Sequence, residues 1–374
     1  MRDVKRLAKY GMAAAAMAFS IMLISPVQAK AAYLVKHNEK CVQEDEKNSN
    51  DQKAIQEALE KYKDIKLESG KEYYLQGPID AVDGGSIDAT GATIICRKVI
   101  IHNKTESKSI ANFSIKGGTW KRSNKSEADG SSFRFHYGTN LKFTDMTIEH
   151  AKMENHAIEL VACSNVLIEN CKITGQGDYS KKSVEEQIQI DVATERTAPF
   201  LKDKNSGLLN GTGCKNITIN NCEVTGCRAV CANYDKSTKK NANKYHKNIK
   251  VTNCTLTGES AEGLMIFNTK GITVKNNTII SNAPKSRKYY SPGLHIQVYG
   301  NGKGGFNKGK VKVTGNTIKG GMFGAFISAN TSKTKFGKIT FKNNKLYSKA
   351  GKNNAYHIDT YKKLTDKGNK SKKW

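Results

Sequence analysis

From Asn112 onward the chain alternates apolar and polar residues in short bursts of period 2, the pattern of half-buried β-strands. The bursts are copies of one another. They read NFSIKGGTW at 112, NLKFTDMTI at 140, NVLIENCKI at 165, NITINNCEV at 216, NIKVTNCTL at 248, GITVKNNTI at 271, KVKVTGNTI at 310 and KITFKNNKL at 338. Their starts lie 28, 25, 51, 32, 23, 39 and 28 residues apart, so insertions lengthen a base period of 23–28. Strands this short cannot bury a face alone, and successive copies must stack. With Gly and Asn at the corners and no helical pattern between copies, the expected fold is all-β, a single parallel β-helix. Upstream, Ile55, Leu59 and Tyr62 recur at helical spacing behind a capping box, Ser49 to Gln52. This predicts one short helix over 50–62 that caps the N-terminal end of the coil.

The seventh place of each copy reads Cys171, Cys222, Cys254, Asn277, Asn316 and Asn344. Stacked rungs would set these in one column about 4.8 Å apart. The asparagines would form an amide ladder and the cysteines would pack as small buried thiols. Cys163 and Cys214 precede their copies by two residues and should be neighbours, close enough that a disulfide is allowed but not required. The chain has nine cysteines, so at least one is outside any internal disulfide. The CxxxC of Cys227 and Cys231 lacks nearby histidines, and no metal site is expected there.

A second family of strands precedes the copies: SFRFHY, HAIELV, QIQIDV, AVCAN, GLMIF, GLHIQV, GAFIS and YHIDT. Ile158, Leu160, Ile188 and Ile190 would point inward, leaving Glu159, Gln187, Gln189 and Asp191 outside. By the same parity Arg134 and His136 face out, as do Cys231, Met265, Phe267, His295, Gln297, Phe326, Ser328, His357 and Asp359. Arg134, His136, Glu159, Gln187, Gln189 and Asp191 are expected to form the floor of one open groove, with His156 and Glu186 at its edge. Insertions at 193–213, 233–247, 282–292 and 300–309 carry Tyr234, Tyr245, Tyr289, Tyr290 and Phe306 and would wall it. His295 and Tyr290 join Gln187, Gln189, His156 and Glu186 as expected substrate contacts. If Glu159 lies opposite Gln189, Asp191 is its diagonal neighbour, roughly 7–8 Å away between backbones.

Charge adds a partner class. Lys and Arg number 61 against 34 Asp and Glu, a net charge of +27. Such a chain attracts acidic polysaccharide, anionic cell-wall polymer or nucleic acid. No nucleic-acid-binding signature is present, so nucleic acid is not expected. GNGKGG at 300–305 fits a dinucleotide-binding spacing but leads into a strand instead of a helix, and that reading fails. Residues 1–29 pair a basic start (Arg2, Lys5, Arg6, Lys9) with the apolar run Gly11 to Ile24 and a small-residue site at Val27-Gln28-Ala29. This is the pattern of a secretory signal, too short to span a bilayer comfortably. The expected product is a secreted monomer with no membrane span, held at the wall by charge. Its organisation is a signal over 1–29, a polar irregular leader over 30–48, the capped β-helix over 49–361 and a mobile basic tail over 362–374.

NVLIENCKITG and NITINNCEVTG resemble right-handed parallel β-helix proteins of the pectate-lyase-like superfamily, and DQKAIQEALEKY followed by SIDATGATI resembles their N-terminal cap. GGTW, HAIELVACSNVLIENC and EEQIQIDV resemble a group of secreted Gram-positive bacterial β-helix proteins of mostly unassigned activity. The resemblance covers roughly residues 50–350. A looser similarity is to polygalacturonases, with ENHAIEL and EEQIQID at the places of their motif strands and Glu185 and Glu186 where paired aspartates stand. Their GHG is replaced by Cys227-Arg228-Ala229, so their mechanism is not carried over. The resemblance implies a carbohydrate-active protein, a polysaccharide lyase or glycoside hydrolase on a pectin-like or other polyuronate. In elimination, Arg134 and His136 would neutralise or abstract, while Glu159, Asp191 and Glu186 would hold Ca²⁺. In hydrolysis, Glu159 and Asp191 would be acid and base, at a separation that favours inversion. The alternative is a non-catalytic, carbohydrate-binding or adhesive surface protein.

Overall fold

The computed structural model describes residues 31–41, 51–122, 131–150, 156–175, 185–235, 245–299, 309–329 and 335–374. The expected signal segment, Ser49 and Asn50 of the capping box, and residues 300–308 with Phe306 and GNGKGG lie outside the described residues.

One turn of the coil shows how the sequence builds the rest. Ile158–Val161 leads into Ser164–Glu169, then Lys172–Gly175, and the chain returns through Glu186–Asp191 beside its starting strand. The register there is Ile158 to Ile188, Glu159 to Gln189, Leu160 to Ile190 and Val161 to Asp191. Repetition of this circuit gives three parallel sheets, of 14, 11 and 10 strands among the described residues. Period-2 alternation sends every second side chain inward. One interior column of the 14-stranded sheet runs Ile115, Phe143, Ile168, Ile219, Val251, Val274, Val313 and Phe341, all fully buried. Each such side chain contributes about 1.5–3 kcal/mol of burial.

The corners explain the asparagines. Asn112, Asn140, Asn165, Asn216 and Asn248 adopt φ of 56–58°, left-handed backbone that asparagine tolerates. Their side chains form an exposed ladder, each Nδ2 donating to the Oδ1 one rung earlier at 2.8–3.1 Å. The seventh-place column is the buried counterpart. Cys171, Cys222 and Cys254 are buried there, and the Cys254 amide donates to Asn277 Oδ1 at 2.8 Å. The ladder continues through Asn316 and Asn344. Cys163 and Cys214 are neighbours, with the Cys163 amide 3.3 Å from Cys214 Sγ, and both are free thiols, as are all nine cysteines.

The capping helix forms over Asp51–Tyr62, burying Ile55, Ala58 and Leu59. The leader departs from its irregular reading, because Tyr33–Val35 pairs with Asp64–Leu67. Asp51 pins it by accepting from the Asn38 amide at 2.9 Å and meeting His37 Nδ1 at 3.0 Å. The basic tail is also corrected. Tyr361–Lys367 and Lys370–Lys373 are strands that add a further rung. Asn369 accepts from Asn344 Nδ2 at 2.9 Å, so KLTDKGNKS is a ninth copy whose seventh place is kept while most apolar places are lost.

Candidate functional site: a covered chamber and an open groove on one sheet

The outward parity reading holds along the 10-stranded sheet. His102, Arg134, Glu159, Gln189, Cys231, Met265, His295, Phe326 and His357 stand in one column, rung after rung. The column nevertheless passes through two different environments.

On the early rungs Arg134 Nε donates to Glu159 Oε2 at 2.7 Å, and Ser131 Oγ donates to the same oxygen at 2.6 Å. Gln189 Nε2 lies 3.0 and 3.1 Å from the two Asp191 oxygens. The expected open floor is corrected here, because the insertion after Asp191 folds over it. Pro199–Leu201, Lys202–Asn205 and Ser206–Leu208 form three short helical turns. Ala198 and Leu201 pack with Val161 and Ala162, and Phe200 lies over the Arg134 guanidinium at 4.5 Å. Tyr137 Oη donates to Leu208 O, and Asn205 Nδ2 donates to Ser107 O at 3.1 Å. Glu159 is left 5 % exposed and Asp191 2 %, so these carboxyls face a covered chamber.

Their partners set the two carboxyls apart. Burial pushes Asp191 well above the usual carboxylate range, with the charges of Glu159 and Glu186 adding to it. Burial pushes Glu159 the same way, but Arg134, His156 and the Ser131 bond outweigh it and hold Glu159 below its ordinary value. Burial also lowers His136, whose Nε2 faces Ser107 O at 2.8 Å and whose ring lies near Phe200. Gln187 does not join the chamber. Its side chain packs on the backbone of Gly175 and Gly226, where any Cβ would collide with it.

Just before each strand runs a column that sequence reading took only in part. Ser131, His156, Glu186, Arg228 and Glu262 occupy equivalent places on successive rungs. His156 Nδ1 lies 2.8 Å from Glu186 O. The Arg228 guanidinium bridges Glu186 and Glu262, with Nε 2.9 Å and Nη2 2.7 Å from Glu262 Oε2. Glu262 Oε1 accepts from His295 Nδ1 at 2.9 Å, and Nε2 of that ring meets Gln297 Oε1 at 2.9 Å. Burial raises Glu262, but Arg228 and His295 outweigh it and bring the carboxyl down to about 2. Arg228 and Glu262 were missed as site residues. The signal was available: each stands two places before the first inward residue of its strand, where Glu186 stands.

Beyond Arg228 the column opens into a groove of about 690 Å³. Its floor holds Met265, Phe267, His295 and Phe326. Tyr234 and Tyr299 stack at 4.4 Å on one side, and Tyr289 and Tyr290, more than half exposed, stand on another. Phe326 stacks on His357 at 5.1 Å, and His357 Nε2 meets Asp359 Oδ2 at 2.9 Å. Burial pushes Asp359 up, but bonds from Thr360 and His357 outweigh it and keep the carboxyl below its ordinary range. Among the described residues that line the groove there is no lysine or arginine. His295 and Tyr290, both expected contacts, lie here and not with the carboxylates. No cluster of possible metal ligands is present among the described residues, and no described helix is long and apolar enough to cross a membrane.

The family described as right handed beta helix region matches residues 204–362. Among solved structures the chain is similar to PfbA, a surface adhesin of Streptococcus pneumoniae. One PfbA structure gives 14 % identity over 91 % of this chain and 97 % of that one, with a TM-score of 0.60. A second gives 15 %, 91 %, 89 % and 0.58. A mannuronan C-5 epimerase A-module of Azotobacter vinelandii is more remote, at 12 % identity, 85 % and 94 % coverage and a TM-score of 0.49. No curated protein matches. The chain is a right-handed parallel β-helix. At these identities the likenesses are likenesses of fold.

Proposed function

We propose that this is a secreted glycan-binding protein that seats a polysaccharide chain in the aromatic groove of the later rungs. The observation that carries the reading is the groove itself: rings of Phe267, Phe326, Tyr289 and Tyr290 interleaved with His295, Gln297, Ser328 and Asp359. Aromatic faces cover the apolar faces of sugar rings, while the polar groups between them meet hydroxyls. Among the described lining residues there is no lysine or arginine, and such a groove suits neutral sugars. Neither groove carboxylate is poised as a proton donor, since Glu262 and Asp359 both lie below their ordinary range. Similarity in fold to a surface adhesin supports the binding reading. Affinity electrophoresis against a panel of neutral and acidic polysaccharides tests it, with Tyr290→Ala as the probe. Retardation by a neutral glycan that this variant loses is the expected result; no retardation by any neutral glycan would refute it.

A second reading, catalysis, rests on one observation. Asp191 and Glu159 are adjacent carboxyls pushed in opposite directions, as an acid and a base are. Glycan cleavage there requires the Pro199–Leu208 segment to lift. New reducing ends or unsaturated uronate from a polysaccharide, abolished by Asp191→Asn and Glu159→Gln, would establish it and displace the binding-only account.

A further inference from the structure

Positive charge is concentrated on another sheet of the same rungs. Five successive strands of the 14-stranded sheet read HKNIKVT, TKGITVK, KVKVT, FGKITFK and YKKLTDK. Each carries two or three lysines, and the five together carry one acidic residue, Asp366. Asp366 is already engaged by Tyr356 Oη at 2.8 Å and Asn369 Nδ2 at 2.6 Å. Register aligns the lysines. Lys310, Lys338 and Lys363 are consecutive in one column, all exposed, and Lys250 and Lys312 flank Thr273 in the next. The early rungs of the same sheet differ, for there Asp88 stands between Lys66 and Lys116.

We propose that the outer face of these five strands docks a linear polyuronate laid along the solenoid axis, with about one carboxylate per rung. Charge complementarity names a polyanion. The rung step, about 4.8 Å, is close to the length of one pyranose in an extended chain, so a uronic acid polymer keeps register with the lysine column. Threonines fill alternate outward places and offer hydroxyls to sugar hydroxyls. Those alternate places hold no aromatic ring, and the exposed Tyr361 at the start of the last strand is too little to stack the successive bases of a nucleic acid. Lysines without arginine suit association by charge density and not by bidentate forks. This surface is independent of the groove: either can fail without the other.

The test uses the secreted chain and polygalacturonate, with affinity measured at several salt concentrations. Lys310→Gln, Lys338→Gln and Lys363→Gln together should weaken binding about tenfold and flatten the dependence of log Kd on log salt, because fewer counterions are displaced. These side chains are exposed, and unchanged melting shows that the rungs remain. Lys53→Gln, Lys61→Gln and Lys63→Gln, an equal loss of charge on and beside the capping helix, should leave affinity within about twofold. Phe326→Ala should leave it unchanged. Equal losses in the two lysine triples, or no loss in the first, overturns the surface. Tighter binding of single-stranded DNA than of polygalacturonate at the same salt overturns the partner.

Discussion

The early and late rungs of the 10-stranded sheet share parity and one outward column, yet among the described residues one end is covered and the other is not. The described parts of the connections that leave the strands show the difference. After Asp191 the chain makes a long connection whose helical turns, Pro199–Leu208, bring Phe200 and Leu201 back over the strand face. On the later rungs Tyr234 and Tyr299 stand beside the face and stack on each other instead. A parallel coil thus supplies a uniform floor, and whether a stretch of it becomes a chamber or a groove depends on whether a loop's apolar residues point back at the sheet.

The two regions are joined by the buried column from Glu186 through Arg228 to Glu262 and His295, and cutting it should have the largest effect. Arg228→Met leaves two carboxylates buried without their partner and should cost about 3–5 kcal/mol. A fall in the denaturation midpoint, with loss of glycan binding as His295 is released, is the expected outcome; a wild-type midpoint would show that the regions are not coupled this way.

Acid should separate the regions next. Burial drives His150 down to about 3 and His246 down to about 4. His246 is held neutral by geometry as well, since Nδ1 accepts from the Cys214 amide at 3.0 Å. The unfolded chain takes up protons at these sites from about pH 6.5 downward, and the folded chain does not until about pH 3–4. Stability is therefore lost as pH falls through that window, on the order of a few kcal/mol. Hydrogen exchange resolved by peptide should show protection lost first on the rungs carrying His150 and His246. Simultaneous loss everywhere would contradict the assignment.

Smaller effects sharpen each end. Phe326→Ala removes a ring that meets both His295 and His357 and should weaken neutral-glycan binding roughly tenfold, about 1.4 kcal/mol. Phe200→Ala removes the ring over Arg134 at a cost of about 0.5–1 kcal/mol. Its signature is access: carbodiimide labelling of Glu159 should rise while melting shifts only slightly. Unaltered labelling would mean the chamber is not closed by Phe200.

Much of this was legible in the sequence because the coil repeats. Period 2 assigned the inward and outward residues, and the opposition of Glu159 to Gln189 follows from aligning two strands. The seventh place marked the buried column because every rung returns to one corner. Closure of the chamber was not legible. Residues 193–213 carry no period, and the packing of Phe200 on Arg134 is a contact between a loop and a strand distant in sequence. The ninth copy escaped notice because Asp366 and Ser371 stand at places that are apolar in the copy before it, although Leu364 and Asn369 keep the repeat. The lack of lysine and arginine among the described lining residues was hidden in the total charge, which says nothing of where lysines fall.

The nine buried thiols give the molecule a built-in gauge of its own unzipping. They lie at Cys41, Cys96, Cys163, Cys171, Cys214, Cys222, Cys227, Cys231 and Cys254, and none follows among the asparagine-laddered rungs. Burial pushes the Cys163 thiol up to about 12, so an alkylating reagent meets little thiolate until that rung parts from its neighbours. Each modified cysteine then dates the opening of one turn. A chain that frays from its lysine-rich end would stay chemically silent, whereas one that loosens from its capping helix would report Cys41 and Cys96 first.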